Sequence, residues 1–235
     1  MIRKYFLGLF LLTVVLFISN CNGIKETILP HTELIFPLEK GKYTITHVID
    51  TTFNTGGPVE DRYFRKEEIG DTEKDLTGRE LTLLQTYRSE EELGTNFDFK
   101  KDQLWTIYKD PGTNGTRYAE RIEDNVRTRV LKFPVHPYID WNGNQYNSLG
   151  TQVFFYDNID TTVVVNGLTF ENCVLVVQQA DTTSAISYKY TYEIYAPNVG
   201  RIKRYNKIIV NDLPPNGAFN ASKSWISIEE IVEHN

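Results

Sequence analysis

The chain has 235 residues, 25 basic and 31 acidic, and 40% of it is hydrophobic, which is enough to bury a core of domain size. Its formal charge of −6 argues against nucleic acid and anionic head groups as partners, since both would repel it. Four histidines far apart and two cysteines give no zinc set of ordinary spacing.

The N-terminus reads as an export signal. Met1-Ile2-Arg3-Lys4 is a short basic start, and Tyr5 to Ile18 is an apolar run broken only by Gly8 and Thr13. A spanning helix needs about 20 apolar residues, so this run is too short to cross a bilayer, whereas a basic start, short apolar core and polar boundary suit a secretory signal. The boundary Ile18-Ser19-Asn20-Cys21 resembles the lipobox of bacterial lipoproteins, with Asn20 standing where Gly, Ala or Ser is usual. The resemblance implies cleavage before Cys21 and lipidation of its thiol. It divides the chain into a signal peptide (1–20), a lipidated cysteine and tether (21–31) and a single domain (32–235). The expected place is the cell envelope, with the protein held to a membrane by its lipid, the outer membrane of a bacterium by preference. Lys25-Glu26 loosely resembles the charged export signals of Bacteroidota surface lipoproteins. Loss of Arg3 and Lys4 leaves 23 basic residues against 31 acidic ones, a net charge of −8, so membrane contact has to come from the acyl chains. With Cys21 acylated, Cys173 stands alone and no intrachain disulfide is available.

The mature chain is rich in Thr, Tyr, Phe and Val and has few Ala, a composition that favours pleated sheet over helix. Strands are expected at Gly41–Thr52, Tyr63–Ile69, Glu80–Arg88, Leu104–Lys109, Val126–Phe133, Thr151–Asp157 and Arg201–Val210. Trp225–Val232 suits either a strand or a short helix. Asn166-Gly167 between two apolar runs predicts a two-residue hairpin turn, because both residues tolerate positive φ. The following strand, Phe170–Gln179, is apolar on both faces and makes Cys173 a small buried hydrophobe rather than a reactive thiol. From Ile186 to Tyr195 the residues alternate, with Ile186, Tyr188, Tyr190, Tyr192 and Ile194 on an apolar-aromatic face and Ser187, Lys189, Thr191, Glu193 and Tyr195 on a polar one. Turn signals fall at Thr55-Gly56-Gly57-Pro58, Asp110-Pro111-Gly112, Asn142-Gly143 and Pro214-Pro215-Asn216-Gly217. Short strands joined by turns, with no helical pattern between them, predict an all-β antiparallel meander whose curved sheet forms a half-barrel or barrel.

Three segments together resemble a family of Bacteroidota envelope lipoproteins. They are Phe36-Pro37-Leu38-Glu39-Lys40-Gly41-Lys42-Tyr43, then Phe133-Pro134 with Trp141-Asn142-Gly143-Asn144-Gln145-Tyr146-Asn147, then Tyr192-Glu193-Ile194-Tyr195-Ala196-Pro197-Asn198-Val199-Gly200-Arg201-Ile202. The resemblance implies a curved sheet in which the last segment is a turn between two long antiparallel strands, and it implies no activity. The same residues predict a tight corner: Pro197 ends a strand, Gly200 supplies a permissive φ, and Val199 and Ile202 return to the core.

Catalytic signatures are missing from the sequence: no nucleophile elbow, no Ser-x-x-Lys and no phosphate-cradling glycine loop. Asp140-Trp141-Asn142-Gly143-Asn144 begins like a calcium loop but has Gln145 where glycine is needed and Thr151 where a bidentate glutamate should close the cage, so an Asx-rich turn is the expected structure. Glu67-Glu68 and Glu90-Glu91-Glu92 read as solvated edges. No metal or cofactor is expected. Trp105, Trp141, Tyr188, Tyr190 and Tyr192 are the candidate ligand contacts, should the aromatic residues line a groove instead of filling a core. The leading function is a non-enzymatic envelope lipoprotein acting as a binding or assembly module, whose partners are a membrane and either envelope proteins or a small ligand. A groove for a sugar or apolar ligand and a hydrolase assembled from distant strands are the alternatives.

Overall fold

The computed structural model describes residues 32–54, 56–90, 97–112, 116–184, 186–211 and 219–235. The signal, Cys21 and its tether, and the Pro214–Gly217 turn lie outside the described residues. Twelve strands follow in order: β1 Tyr43–Asn54, β2 Gly57–Lys74, β3 Glu80–Glu90, β4 Lys100–Lys109, β5 Arg117–Glu123, β6 Val126–Phe133, β7 Asp140–Asn142, β8 Val153–Val165, β9 Leu168–Asp181, β10 Ser187–Ala196, β11 Gly200–Val210 and β12 Trp225–His234. Short 3-10 turns at Thr32–Ile35 and Ala221–Lys223 are the helical pieces among the described residues.

All twelve strands form one antiparallel sheet in the spatial order β6-β5-β4-β3-β2-β1-β12-β11-β10-β9-β8-β7. Each half of the chain meanders, and the first and last strands join the halves through a ladder from Thr44↔His234 to Thr52↔Trp225. Trp225–His234 is thus a central strand rather than a short helix. The sheet curls until its two outer edges meet, so the gap in the barrel falls between β6 and β7, which are consecutive in sequence.

Side chains bridge this seam in place of a ladder. The Tyr156 hydroxyl donates to the Lys132 carbonyl at 2.5 Å and accepts from the Lys132 N–H at 2.9 Å. The Trp141 indole donates to the Arg129 carbonyl at 2.8 Å, and Asn147 Nδ2 donates to the Arg127 carbonyl at 2.9 Å. One backbone bond, Arg129 N–H to the Gly143 carbonyl, completes the contact. An unpaired strand edge is thereby satisfied without further strands. A Cβ on Gly143 would lie 2.4 Å from the Phe154 ring, so glycine is required at this crossing.

Twelve strands enclose more space than their own side chains fill. At one end, formed by the start of β1, the β10–β11 turn and the end of β12, the N-terminal segment closes the barrel. Ile35 and Phe36 are buried in the main apolar cluster with Leu84, Ile107, Leu131, Phe133 and Val174. Asn198 N–H donates to the Leu34 carbonyl, and Pro37 lies against Gly200, whose φ is +92°. The predicted corner is present, with Ile202 fully buried.

A second cluster packs the β8–β9 hairpin tip (Val165, Phe170, Cys173) against Ile194, Ala196, Ile202 and Ile231. The hairpin turns at Asn166 and Gly167, with φ of 49° and 81°, and Asn166 Nδ2 donates to the Ile231 carbonyl at 3.0 Å. Cys173 is fully buried, and burial raises its thiol pKa to about 11, so it is the inert small hydrophobe expected.

Three expectations are corrected. Gly57 and Pro58 already stand in β2, paired with Asn54 and Phe53. Strand β5 was not anticipated, because Arg117, Glu120, Arg121 and Glu123 break its apolar pattern. In β10 Glu193 and Tyr195 of the polar face are fully enclosed, while on the apolar face Ile194 is buried but Tyr188, Tyr190 and Tyr192 are only half-buried.

Candidate functional site

Halfway along the lumen, above the apolar plug, lies a belt of charge. Strand alternation points Arg65 and Glu67 of β2, Arg121 and Glu123 of β5, Glu193 of β10, Arg201 and Arg204 of β11, and Glu229 of β12 inward. The β10–β11 register shifts between Ile194 and Tyr195, which lets Arg201 and Arg204, three residues apart, share the inner face. Four guanidiniums meet four carboxylates, and the belt is neutral.

Its geometry is continuous across the lumen. Arg201 reaches Glu193 at 3.2 Å, Glu229 at 3.1 Å and also Glu67. Arg204 contacts Glu193 at 2.7 Å and Glu123 at 2.9 Å. Arg121, seven strands from β10 along the sheet, contacts Glu193 at 3.3 Å and Glu123 at 2.8 Å, and donates to the Tyr195 hydroxyl at 2.8 Å. Tyr195 donates in turn to Glu193 at 2.5 Å. Arg65 contacts Glu229 at 2.9 Å and donates to the Tyr63 hydroxyl at 2.7 Å.

Burial by itself would raise the carboxyl pKa values, but the surrounding arginines outweigh it. Glu229 is lowered to about 2 by Arg65, Arg201 and Arg204. Glu193 and Glu123 are lowered below the usual carboxylate range by Arg121, Arg204 and Arg201. Tyr63 and Tyr195 are raised, first by burial and then by neighbouring carboxylates. Glu67 is therefore no solvated edge: its side chain is 11% exposed and pairs with Arg201.

Above the belt the lumen opens into a cup of about 620 Å³. Its walls include Tyr63, Arg65, Arg88, Trp105, Arg204, Asn206, Ser227 and Glu229, and its rim carries Asp50, Asp102, Asp124 and Trp225. A second lobe of about 350 Å³ shares Glu123, Asp124, Arg204, Asn206 and Trp225 and runs toward the seam past Asn144, Gln152 and Phe154. Below the belt a smaller space of about 60 Å³ touches Phe36, Pro37, Tyr43, Tyr195 and Gly200.

The five aromatic candidates do not converge. Trp105 lines the cup, its indole N–H held by Gln103 at 2.8 Å and its ring 5.4 Å from the Arg65 guanidinium. Trp141 is buried at the seam between Phe154 and Tyr156. Tyr188, Tyr190 and Tyr192 lie on the face of β10 opposite Glu193, where Tyr192 stacks on Tyr205, Tyr190 tilts against both and Lys207 covers Tyr188. One predicted contact is thus in the cavity, one closes the seam and three line the far face. The belt residues were missed: Glu193 shares its strand face with Ser187, Lys189 and Thr191, which reads as polar, whereas Glu229, two residues before Ile231, stood in phase with an apolar position.

Asp140–Asn142 is strand β7 with Trp141 buried, and the Asx-rich turn expected here begins only at Asn142. Asn142 Oδ1 accepts from the Asn144 and Gln152 N–H groups, each at 3.1 Å, which leaves that oxygen engaged by backbone. Among the described residues no three His, Cys, Asp or Glu side chains group as metal ligands, and no helix is long and apolar enough to cross a membrane.

No protein-family model and no curated protein matches the chain. Among solved structures it is similar to a "putative lipoprotein" from Parabacteroides distasonis, at 11% identity and a TM-score of 0.33, covering 86% of this chain and 98% of that one. It is also similar to a DUF1329 family protein from Desulfovibrio piger, at 8% identity and a TM-score of 0.20, covering 84% and 87%.

Proposed function

We propose that this chain is an exported lipoprotein, anchored through Cys21, whose barrel binds a small ligand in its lumen. The cup carries the reading: a cavity of about 620 Å³ has the size of small-molecule sites, and its largely polar and charged wall includes three aromatic rings, Tyr63, Trp105 and Trp225. A filled sheet would have favoured an assembly module instead. Enzymatic chemistry is less well supported, because the carboxylates that do converge are held anionic by arginine. A general acid working near neutral pH needs its pKa raised, and Glu123, Glu193 and Glu229 are shifted the other way.

Anchoring and binding fit one geometry. Thr32 leaves the barrel beside its plugged end, so a lipid on Cys21 places that end toward the membrane and the cup away from it. The full chain and its Cys21→Ser variant, expressed in a bacterial host and partitioned between detergent and aqueous phases, test the anchor. The wild type is expected in the detergent phase and the variant in the aqueous phase. Identical aqueous partitioning of both would refute lipidation.

A further inference from the structure

We propose that the cup selects a small organic cation, an amine or guanidine compound, over neutral or anionic ligands. The proposal rests on the lumenal reading above and names the chemistry of the ligand. The cup is lined by five carboxylates (Asp50, Asp102, Glu123, Asp124, Glu229) against three guanidiniums, those of Arg65, Arg88 and Arg204.

Each of these guanidiniums is already neutralised by a carboxylate. Arg65 is bound to Glu229 at 2.9 Å and Arg204 to Glu123 at 2.9 Å. Arg88 is held by Asp61 and Glu90, each at 2.9 Å. Three carboxylates remain at the rim without a cationic partner. Asp50 accepts a hydrogen bond from the Tyr63 hydroxyl at 3.1 Å, which leaves its charge in place. Asp102 and Asp124 are exposed and form no ion pair with a described residue. The neutral belt forms the floor, so the surplus negative charge sits where a ligand enters. A concave wall of low dielectric strengthens the attraction for a cation.

The wall already seats two of the chain's own cations on aromatic rings. Arg65 lies 5.4 Å from the Trp105 ring centre, and Arg88 lies 3.7 Å from that of Tyr63. Both arrangements place a cation against an aromatic ring, where the ring quadrupole attracts positive charge. Trp225, 37% exposed at the rim, offers a further aromatic surface beside Asp124. A neutral saccharide donates hydroxyl hydrogen bonds to these carboxylates but gains no charge–charge attraction from them.

The test uses the full chain purified in detergent and titrated calorimetrically with spermidine, arginine amide, cellobiose and citrate. The expected result is binding of spermidine or arginine amide, weakening about fivefold or more between low and high salt, as screening requires. The double variant Asp50→Asn and Asp124→Asn should weaken binding about tenfold while melting like the wild type. Asparagine can still accept the Tyr63 hydrogen bond and tolerates the φ of 49° at position 124. Cellobiose binding as tightly as the amines, or amine binding unchanged in the double variant, overturns cation selection and leaves the lumenal reading standing. Failure of all four probes to bind overturns both.

Discussion

The two ends of the barrel answer the same problem, an interior too wide for its own side chains, in opposite ways. At the plugged end Ile35 and Phe36 enter the lumen and complete an apolar cluster with residues from both halves of the sheet. At the other end the described residues leave the lumen open, and the walls are polar. The belt between them separates a core that apolar burial stabilises from a cavity kept open by charge. Apolar packing tolerates modest changes of shape, whereas a buried ion network fails when one member is removed, because the others are left charged and unsolvated.

That contrast can be broken most directly in the belt. Arg201→Met removes the cation shared by Glu67, Glu193 and Glu229, and should destabilise the fold by about 3–5 kcal/mol in urea unfolding. The rim variant Arg88→Met, whose ion pairs with Asp61 and Glu90 are largely exposed, should cost under about 1 kcal/mol. Equal losses would show that the belt is no more than a set of surface pairs.

Acid should separate the two ends next. The folded pKa of Glu229 is about 2 against an ordinary 4.5, so its contribution is present above pH 4.5 and is lost as pH falls toward 2. The shift corresponds to roughly 3 kcal/mol for this group, and Glu193 and Glu123 are lowered in the same sense. Unfolding free energy measured from pH 7 to pH 2 should fall steeply below pH 4.5. A flat profile would mean that these carboxylates are not paired in solution.

At the seam, Tyr156→Phe deletes the hydroxyl that serves both backbone groups of Lys132. A loss of about 1–3 kcal/mol is expected, because a buried donor and acceptor lose their partner. Amide exchange should accelerate along β6 before it does along β1 and β12, and uniform acceleration would argue that the seam is not a separate weak point. The smallest effect belongs to the hairpin tip. A Cβ at Gly167 meets no atom within 4 Å, so the φ of 81° is what opposes Gly167→Val, at about 1 kcal/mol. An unchanged melting temperature would mean that the turn tolerates side chains.

The architecture was readable where local chemistry dictates it. Asn166-Gly167 can hardly be anything but a two-residue turn, and Pro197 followed by Gly200 makes a corner because proline ends the ladder and glycine admits positive φ. The candidate site was far less readable. Trp141 reads as a ligand-facing aromatic in sequence, yet it serves, with Tyr156, as a hydrogen-bond partner for the edge of β6. Tyr188, Tyr190 and Tyr192 looked like the face to bury, since apolar residues usually seek the core. Glu193 and Tyr195 were buried instead, because the opposing strands bring arginines to meet them.

The sequence by itself determined the pleated character of the chain, most strand positions, the tight turns and the burial of Cys173, since each depends on residues within a few positions of one another. Only the tertiary structure decided that β1 pairs with β12, that the gap opens between β6 and β7, and that Arg121 reaches Glu193 across the lumen. Those outcomes depend on how far the sheet twists and curls before its edges meet, a quantity summed over twelve strands and specified at no single residue. Whether an inward charge finds its partner is settled only at that closure, and with it the division of the lumen into a filled end and an open one.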